Sequence, residues 1–391
     1  MTTIPTPLEQ LADVLTRRNK ITLGVPCSAA PGERRFPLTP ECAAILATRG
    51  IQVLIEAGAA ACIHFPDAAY TRAGARVVDR RTAFSADIVL HLPAISAQDA
   101  LLLRQGAMLI GLFHPERQTP AAIDILLRRH IIAVALDLVT DSAGHRPFAD
   151  ILAEIDGRAA IALASSMLAD PIHGKGILAG GIAGVVPCEV TIIGSGLAAQ
   201  AAARSAIGLG ATVRLFDNDT YRLREACNTL GAGAVIASAI HPRVFASALH
   251  SADIVIATPT VVAIREDIDP ELLKRGVIAF DLCGNPAAPA FPGLRRVDLA
   301  SACASDNDPY APVRTCYVNA GSAVPRTAAM ALSTSLLTLF DQIINPESGA
   351  VNLSETITCA VYTFMGRPVN NVIADIASRR AIDINILLNL S

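Results

Sequence analysis

Tryptophan is absent from this chain of 391 residues, and aromatic side chains make up only 4% of it. That scarcity leaves little from which to build the stacking platforms that hold single-stranded nucleic acid. Basic runs are missing too, and the net charge is −3, so nucleic acid is not expected as a partner. Charged residues amount to 17% against 52% hydrophobic. Even so, no apolar run has the ~20 nearly uninterrupted residues that cross a bilayer. The most apolar stretch, from Ile177 to Ile193, is broken by Gly180, Gly181, Gly184, Pro187 and Glu189; another, Thr327 to Leu339, is short and rich in Ser and Thr. Both read as buried core, and no membrane partner is expected. The first residues show no basic segment followed by an apolar one, so no secretory signal is expected. The nine cysteines form no CxxC pair and no Cys/His group at metal-ligand spacing. They read as buried thiols of a cytoplasmic protein, with no disulfide framework and no metal site. Low charge with high apolarity also fits a homo-oligomer with a large interface.

At about 100–200 residues per domain, the length predicts two domains or three. After a polar leader expected to form a short helix, strands and helices alternate. Ile21–Pro26, Gln52–Glu56, Ile88–Leu92, Ala107–Leu112 and Ile131–Leu136 read as strands. Pro40–Arg49, Ala97–Arg104 and Pro120–Arg129 read as helices, the first opened by Thr39 as cap with proline at its first position. Ala149 to Leu168 reads as one long helix joining the domains. A second series follows a glycine-rich stretch: strand Glu189–Ile193, helix Leu197–Leu209, and strands at Thr212–Phe216, Ile254–Ala257, Val277–Asp281 and Thr315–Val318. An apolar helix is expected from Pro325 to about Leu339, and a mainly helical tail over 347–391. Continuous apolar strands alternating with helices indicate an α/β fold with parallel sheets covered on both faces.

The strongest motif is Val190-Thr-Ile-Ile-Gly194-Ser-Gly196-Leu-Ala-Ala199. It follows a predicted strand and opens a predicted helix, the setting a dinucleotide-binding G-x-G-x-x-G/A turn requires. Gly194 permits the tight turn, and Gly196 lets a pyrophosphate approach the backbone of Ser195 and Leu197. Ala199 is small enough for the helix to lie close on the strand. The free amides at the helix start then attract phosphate. The next strand ends at Asp217, 23 residues after Gly194. An acidic residue about there accepts hydrogen bonds from the adenosine ribose and repels a 2′-phosphate. The expected cofactor is therefore NAD rather than NADP.

Several further motifs carry a family resemblance over nearly the whole chain. They are Gly24-Val-Pro26, Pro31-Gly-Glu-Arg-Arg35-Phe-Pro-Leu-Thr-Pro40, Gly174-Lys-Gly-Ile-Leu-Ala-Gly-Gly-Ile-Ala-Gly184, Cys316-Tyr-Val-Asn319 and Ala323-Val-Pro-Arg-Thr327. In these the chain resembles the alanine dehydrogenase / nicotinamide nucleotide transhydrogenase α-subunit family. The resemblance implies two Rossmann-like domains with the active site in the cleft between them. Residues 1–150 with about 325–391 would form the substrate domain, and 151–324 the NAD domain. It also implies that Arg35 holds a substrate carboxylate, for which a planar guanidinium is suited. His114 would be the acid/base, with an intrinsic pKa near neutral, and Asn319 would lie beside the nicotinamide. The members assemble as dimers or hexamers.

The pattern breaks on the substrate side. Where the dehydrogenases carry a lysine in a K-V-K-E-P context, this chain has Pro93 within Val89-Leu-His-Leu-Pro-Ala94. His91, two residues earlier and so facing the same side of the strand, could partly replace that cation. Where they read V-D-x-x-I-D-Q-G-G, the second aspartate is replaced by Asn285. Ala153-Glu-Ile-Asp156-Gly stands where S-E-I-A-G is usual. The expectation is an NAD-dependent oxidoreductase acting on a small amino acid and its 2-oxo acid or imine. The alternatives are a catalytically weak NAD-binding paralogue with a regulatory or assembly role, and a transhydrogenase-like domain.

Overall fold

The computed structural model describes residues 21–28, 30, 32–231, 233–259, 268–285, 288–300, 314–344 and 355–389. The leader expected to be helical lies outside them. The strands in chain order are β1 (Thr22–Val25), β2 (Gln52–Glu56), β3 (Arg76–Val78), β4 (Ile88–Leu90), β5 (Met108–Gly111), β6 (Ile132–Ala135), β7 (Glu189–Ile193), β8 (Thr212–Phe216), β9 (Ile236–Ser238), β10 (Ile254–Ala257), β11 (Ile278–Asp281), β12 (Arg295–Asp298), β13 (Thr315–Val318), β14 (Val361–Phe364) and β15 (Arg367–Pro368). They form two sheets. The first runs β15-β14-β6-β5-β4-β1-β2-β3 and the second β12-β13-β11-β10-β7-β8-β9. Pairing is parallel throughout the second sheet and from β3 to β6 in the first. In both, the first strand lies centrally with the second and third to one side and the fourth and fifth to the other, the doubly wound arrangement of an α/β fold.

The central strands are nearly all Val, Ile, Leu and Ala, and are buried because helices cover both faces. Helix starts follow local chemistry. Thr39 and Thr119 cap α1 (Pro40–Thr48) and α2 (Pro120–Arg128), each accepting a backbone N–H while proline fills the first position. The long helix α3 (Pro147–Ala169) lies against α4 (Leu197–Gly208), the helix that opens at the dinucleotide turn. Gly157 sets their spacing: a Cβ there would stand 2.2 Å from the carbonyl oxygen of Ala198. The apolar helix α5 (Pro325–Ile343) buries Leu332, Leu336, Leu339 and Phe340 in the core of the first sheet.

The chain's tail departs from its expected helix. β14 joins the first sheet antiparallel to β6, and β15 returns on it through a two-residue turn. Met365 and Gly366 both have positive φ, +48° and +74°, as such a hairpin turn demands. Val361-Tyr-Thr-Phe364 is β-branched and aromatic, so local preference favours a strand. The expected helix from Ala97 stops at Ala100.

Candidate active site

The dinucleotide turn has the geometry its sequence requires. Gly194 has φ +103°, a conformation strained for any side chain, and its N–H donates to the carbonyl of Phe216 on β8. Gly196 caps α4 and no side chain closes that helix start, so its amides stay available to an anion. Leu197, 42% exposed on the first turn, offers an apolar surface there. Asp217 is buried at the end of β8. Its Oδ2 accepts the Ser195 hydroxyl at 2.6 Å, and its Oδ1 the backbone N–H of Asp219 at 3.0 Å. Thr258, just past β10, ties back to the carbonyl of Ile193 through both its N–H and its hydroxyl. The turn thus sits where β7 has β8 on one side and β10 on the other, the switch point at which doubly wound sheets bind ligands. The residues present fit a dinucleotide: a tight turn at Gly194, helix amides that no side chain caps, and a fixed carboxylate at ribose distance in sequence.

Beside the strand ends of the second sheet lies a cavity of about 160 Å³ lined by Arg35, His114, Arg117, Asp156, Asp281, Leu282, Cys283, Gly284, Asn319, Ala320 and Ser322. Arg35, His114 and Arg117 follow strands of the first sheet, and the segments at 281–284 and 319–322 follow β11 and β13. Contacts between the two halves close it. Arg117 Nη2 donates to the carbonyl of Gly284 at 3.1 Å, and Ser322 Oγ to Glu33 Oε1 at 3.2 Å. Gly32, with φ +79°, lies so close that a Cβ would stand 2.1 Å from Asp298 Oδ2. That oxygen accepts the Asn319 side-chain amide at 2.8 Å. Asn319 itself takes a left-handed conformation, φ +60°, which asparagine tolerates.

Arg35 is in this cavity, with its fork already engaged. Its Nε and Nη2 donate to the two oxygens of Glu33 at 2.8 and 2.6 Å. The two parallel bonds expected for a substrate carboxylate are thus made to Glu33, and Nη1 takes no part in that pair. Burial would raise the Glu33 carboxyl, but the charge and hydrogen bonds of Arg35 outweigh it, and the group sits below its ordinary range. Asp156 has the opposite balance. Burial raises it, and Arg35 and the Gly321 N–H offset this only in part. His114, φ +40°, is the residue from which the turn at Pro115–Arg117 begins.

Two expected residues stand elsewhere. His91 is not among the cavity residues. It is buried just past β4, its Nδ1 3.2 Å from the carbonyl oxygen of Pro93 and its ring against Phe84. Its Nε2 is buried without a hydrogen-bond partner. Burial depresses its pKa to about 4, so at neutral pH it is uncharged and cannot stand in for the missing lysine. Asn285 lies half-buried one residue beyond the wall made by 281–284. Asp281, before it, organises this loop: its oxygens accept the N–H groups of Cys283 and Ala290. Glu33, Asp156, Arg117 and Ser322 were not anticipated as site residues. Of these, Glu33 had a visible signal, lying in the same motif as Arg35, and Asp156 stood out as a departure from the family pattern.

Two descriptions of one family match the chain: Alanine dehydrogenase/PNT, N-terminal domain, over residues 24–155, and Alanine dehydrogenase/PNT, C-terminal domain, over 160–280. The chain belongs to the alanine dehydrogenase/PNT family. It is 28% identical to an alanine dehydrogenase of Geobacillus stearothermophilus over 83% of this chain and 87% of that one. It is 29% identical to one of Mycobacterium tuberculosis strain H37Rv over 81% and 85%. Among solved structures, an L-alanine dehydrogenase superposes with a TM-score of 0.78 at 24% identity, covering 91% of this chain and 99% of that one. A transhydrogenase from Sinorhizobium meliloti gives 0.69 at 22%, covering 90% and 99%. These likenesses confirm the two-domain α/β fold. Family membership makes the chain an alanine dehydrogenase-like enzyme of the NAD-dependent oxidoreductases. Among the described residues no helix is long and apolar enough to cross a membrane, and no group of three or more His, Cys, Asp or Glu side chains could hold a metal.

Proposed function

We propose that the protein interconverts a small amino acid with its 2-oxo acid or imine, using NAD. The observation that carries this reading is the cavity itself, where Arg35, His114 and Asn319 converge beside the strand ends of the dinucleotide-binding sheet. Its volume of about 160 Å³, below the ~300–1,000 Å³ of sites for drug-sized ligands, suits a small substrate. Gly194, Ser195, Gly196 and Leu197 would hold the pyrophosphate, Asp217 the adenosine ribose, and Asn319 the nicotinamide edge. NAD, when bound, supplies the hydride acceptor. Arg35, with Nη1 outside its pair with Glu33, would orient the substrate carboxylate as a charge-assisted donor. His114 would exchange the proton of the reacting amine, and Asn285 would support the loop beside the ring. We place the substrate domain at 1–150 with about 325–391 and the NAD domain at 151–324. We take the protein to be cytoplasmic and to assemble as a homo-oligomer, a dimer or hexamer.

Mixing the protein with NADH, ammonium and a panel of small 2-oxo acids tests the reading. Loss of nicotinamide absorbance with at least one of them is expected. One observation favours a second reading, an NAD-binding paralogue with weak or no dehydrogenase activity. The fork of Arg35 is spent on Glu33, and Pro93 brings no cation to replace it. Tight NADH binding with no turnover across the panel would establish that reading instead.

A further inference from the structure

Asp156 is a carboxylate that the resembling pattern, with alanine there, does not call for, and it faces the same cavity as Arg35 and His114. It comes from the middle of α3, whose other buried residues are apolar. The structure fixes it. Asp156 Oδ1 accepts the N–H of Gly321 at 2.9 Å, and Gly321 is shaped for it, since a Cβ at 321 would stand 2.1 Å from that oxygen. The cavity wall at 281–284 ends one residue before Asn285, where the dehydrogenase pattern has an aspartate. The two departures are complementary: a carboxylate is lost next to the cavity wall, at Asn285, and one is gained in the lining, at Asp156.

We propose that Asp156 is the counter-ion for the substrate's amino group, taking over from α3 the charge that Asn285 no longer supplies. The inference rests on the amino-acid reading above. Arg35 and Asp156 then act as a pair. The guanidinium attracts the carboxylate end of an amino acid and Asp156 its ammonium end, so a zwitterion is bound at both poles. A 2-oxo acid, lacking the ammonium, uses Arg35 alone. Without a substrate cation, Asp156 is a buried carboxyl that Arg35 and the Gly321 N–H support only in part and the charge of Glu33 opposes, which is costly. An arriving cation relieves that cost, so the preference for an ammonium is built into the empty cavity. Arg35, Glu33 and His114 act on its charge, and Arg117 and Asp281 line the same cavity.

Calorimetry on the full chain saturated with NADH separates the possibilities, because neither L-alanine nor pyruvate without ammonium gives turnover there. Both probes should bind the unaltered protein. Asp156→Asn keeps the acceptor for Gly321 and should weaken L-alanine at least tenfold while changing pyruvate less than twofold. Asp156→Ala should do the same, and adding Asn285→Asp to it should recover most of the lost L-alanine affinity. Equal losses for both probes, or no loss for either, would overturn the assignment while leaving the amino-acid reading intact. Loss of NADH binding in both variants would overturn it as well, making Asp156 a structural residue. Failure of the unaltered protein to bind either probe, with NADH still bound, would instead defeat the amino-acid reading.

Discussion

At the scale of single residues, the cavity is a set of charges whose values depend on one another. Arg35 is held rigid by two bonds from Glu33, and a planar fork is the only side chain that makes both. Arg35→Lys retains the charge but cannot hold both oxygens of Glu33 and still present a further N–H to the substrate carboxylate, so one bond to the substrate is lost. Charge-assisted hydrogen bonds are worth roughly 1.5–3 kcal/mol, so KM for the 2-oxo acid should rise about tenfold to a hundredfold. The NADH dissociation constant should stay unchanged, because the turn at Gly194 is untouched; steady-state kinetics and fluorescence titration would read the two quantities separately. His91 makes a prediction about stability rather than turnover. Its folded-state pKa, depressed by burial to about 4 from the ordinary 6.5, means that the unfolded chain binds the proton more tightly. Stability is therefore full above about pH 6.5 and is lost as pH falls from there towards 4, by up to about 3 kcal/mol for this group. His91→Asn should flatten this fall in thermal melts between pH 7.5 and 5. An unchanged slope would mean that His91 is hydrated or partnered in solution.

The residues that could be read from the sequence and those that could not differ in one respect. Gly194, Gly196 and Asp217 were legible because their roles are local: a turn, a helix start and a strand end, all within one βαβ unit. Arg35, His114 and Asn319 were reached through the resemblance, and the cavity does bring them together. Asp156 was visible as a departure, yet nothing in its neighbourhood says that this face of a long helix meets Gly321, 165 positions on. His91 was misplaced for a related reason. His91 and Pro93 lie past the end of β4, where strand alternation no longer sets the side a residue faces, and Phe84 packs against the His91 ring.

At the scale of elements, the central strands were legible nearly to the residue, while β3, β9 and β12 were missed. All three are edge strands, and two carry arginine at their outer positions, as in Arg76-Val-Val78 and Arg295-Arg-Val-Asp298. Edges are kept short and charged to discourage further pairing, which removes the apolar run that reveals a strand. The strand β14 was open to a local reading, since Val361-Tyr-Thr-Phe364 favours a strand; its pairing with β6, over 200 residues earlier, was not. The contact between α3 and α4 is where element packing meets cofactor binding. A methyl group at 157 would collide with backbone atoms of Ala198 and Ala202, at 2.2 and 3.0 Å, and backbone cannot swing aside. Gly157→Ala should cost about 1–3 kcal/mol by overpacking. Because Ala198 is in the first turn of α4, the displaced amides should also weaken NADH severalfold. A destabilised variant with unchanged NADH affinity would show that the helices separate at their far ends instead.

At the scale of the whole molecule, the segment from Ile172 to Val186 carries Leu178, Ile182, Val185 and Val186 outward, the last 86% exposed. It is nevertheless ordered. Ile182 and Val185 exchange backbone hydrogen bonds of 3.2 and 2.8 Å, Cys188 donates to the carbonyl of Ala179, and Gly180 sits against the carbonyl of Leu209 with room for no side chain. Several exposed apolar side chains on one segment suit a contact between proteins, and the prediction is that a second copy of this chain binds there. The double substitution Ile182→Lys and Val186→Glu leaves every buried residue in place and puts two hydrated charges into that surface. Sedimentation at micromolar concentration should show the unaltered chain as an oligomer and the double variant as a smaller species, with thermal stability falling as the assembly is lost. The domain fold should survive, since neither side chain contributes to the core. If the unaltered chain itself sediments as a monomer across that concentration range, self-association is not what this surface is for.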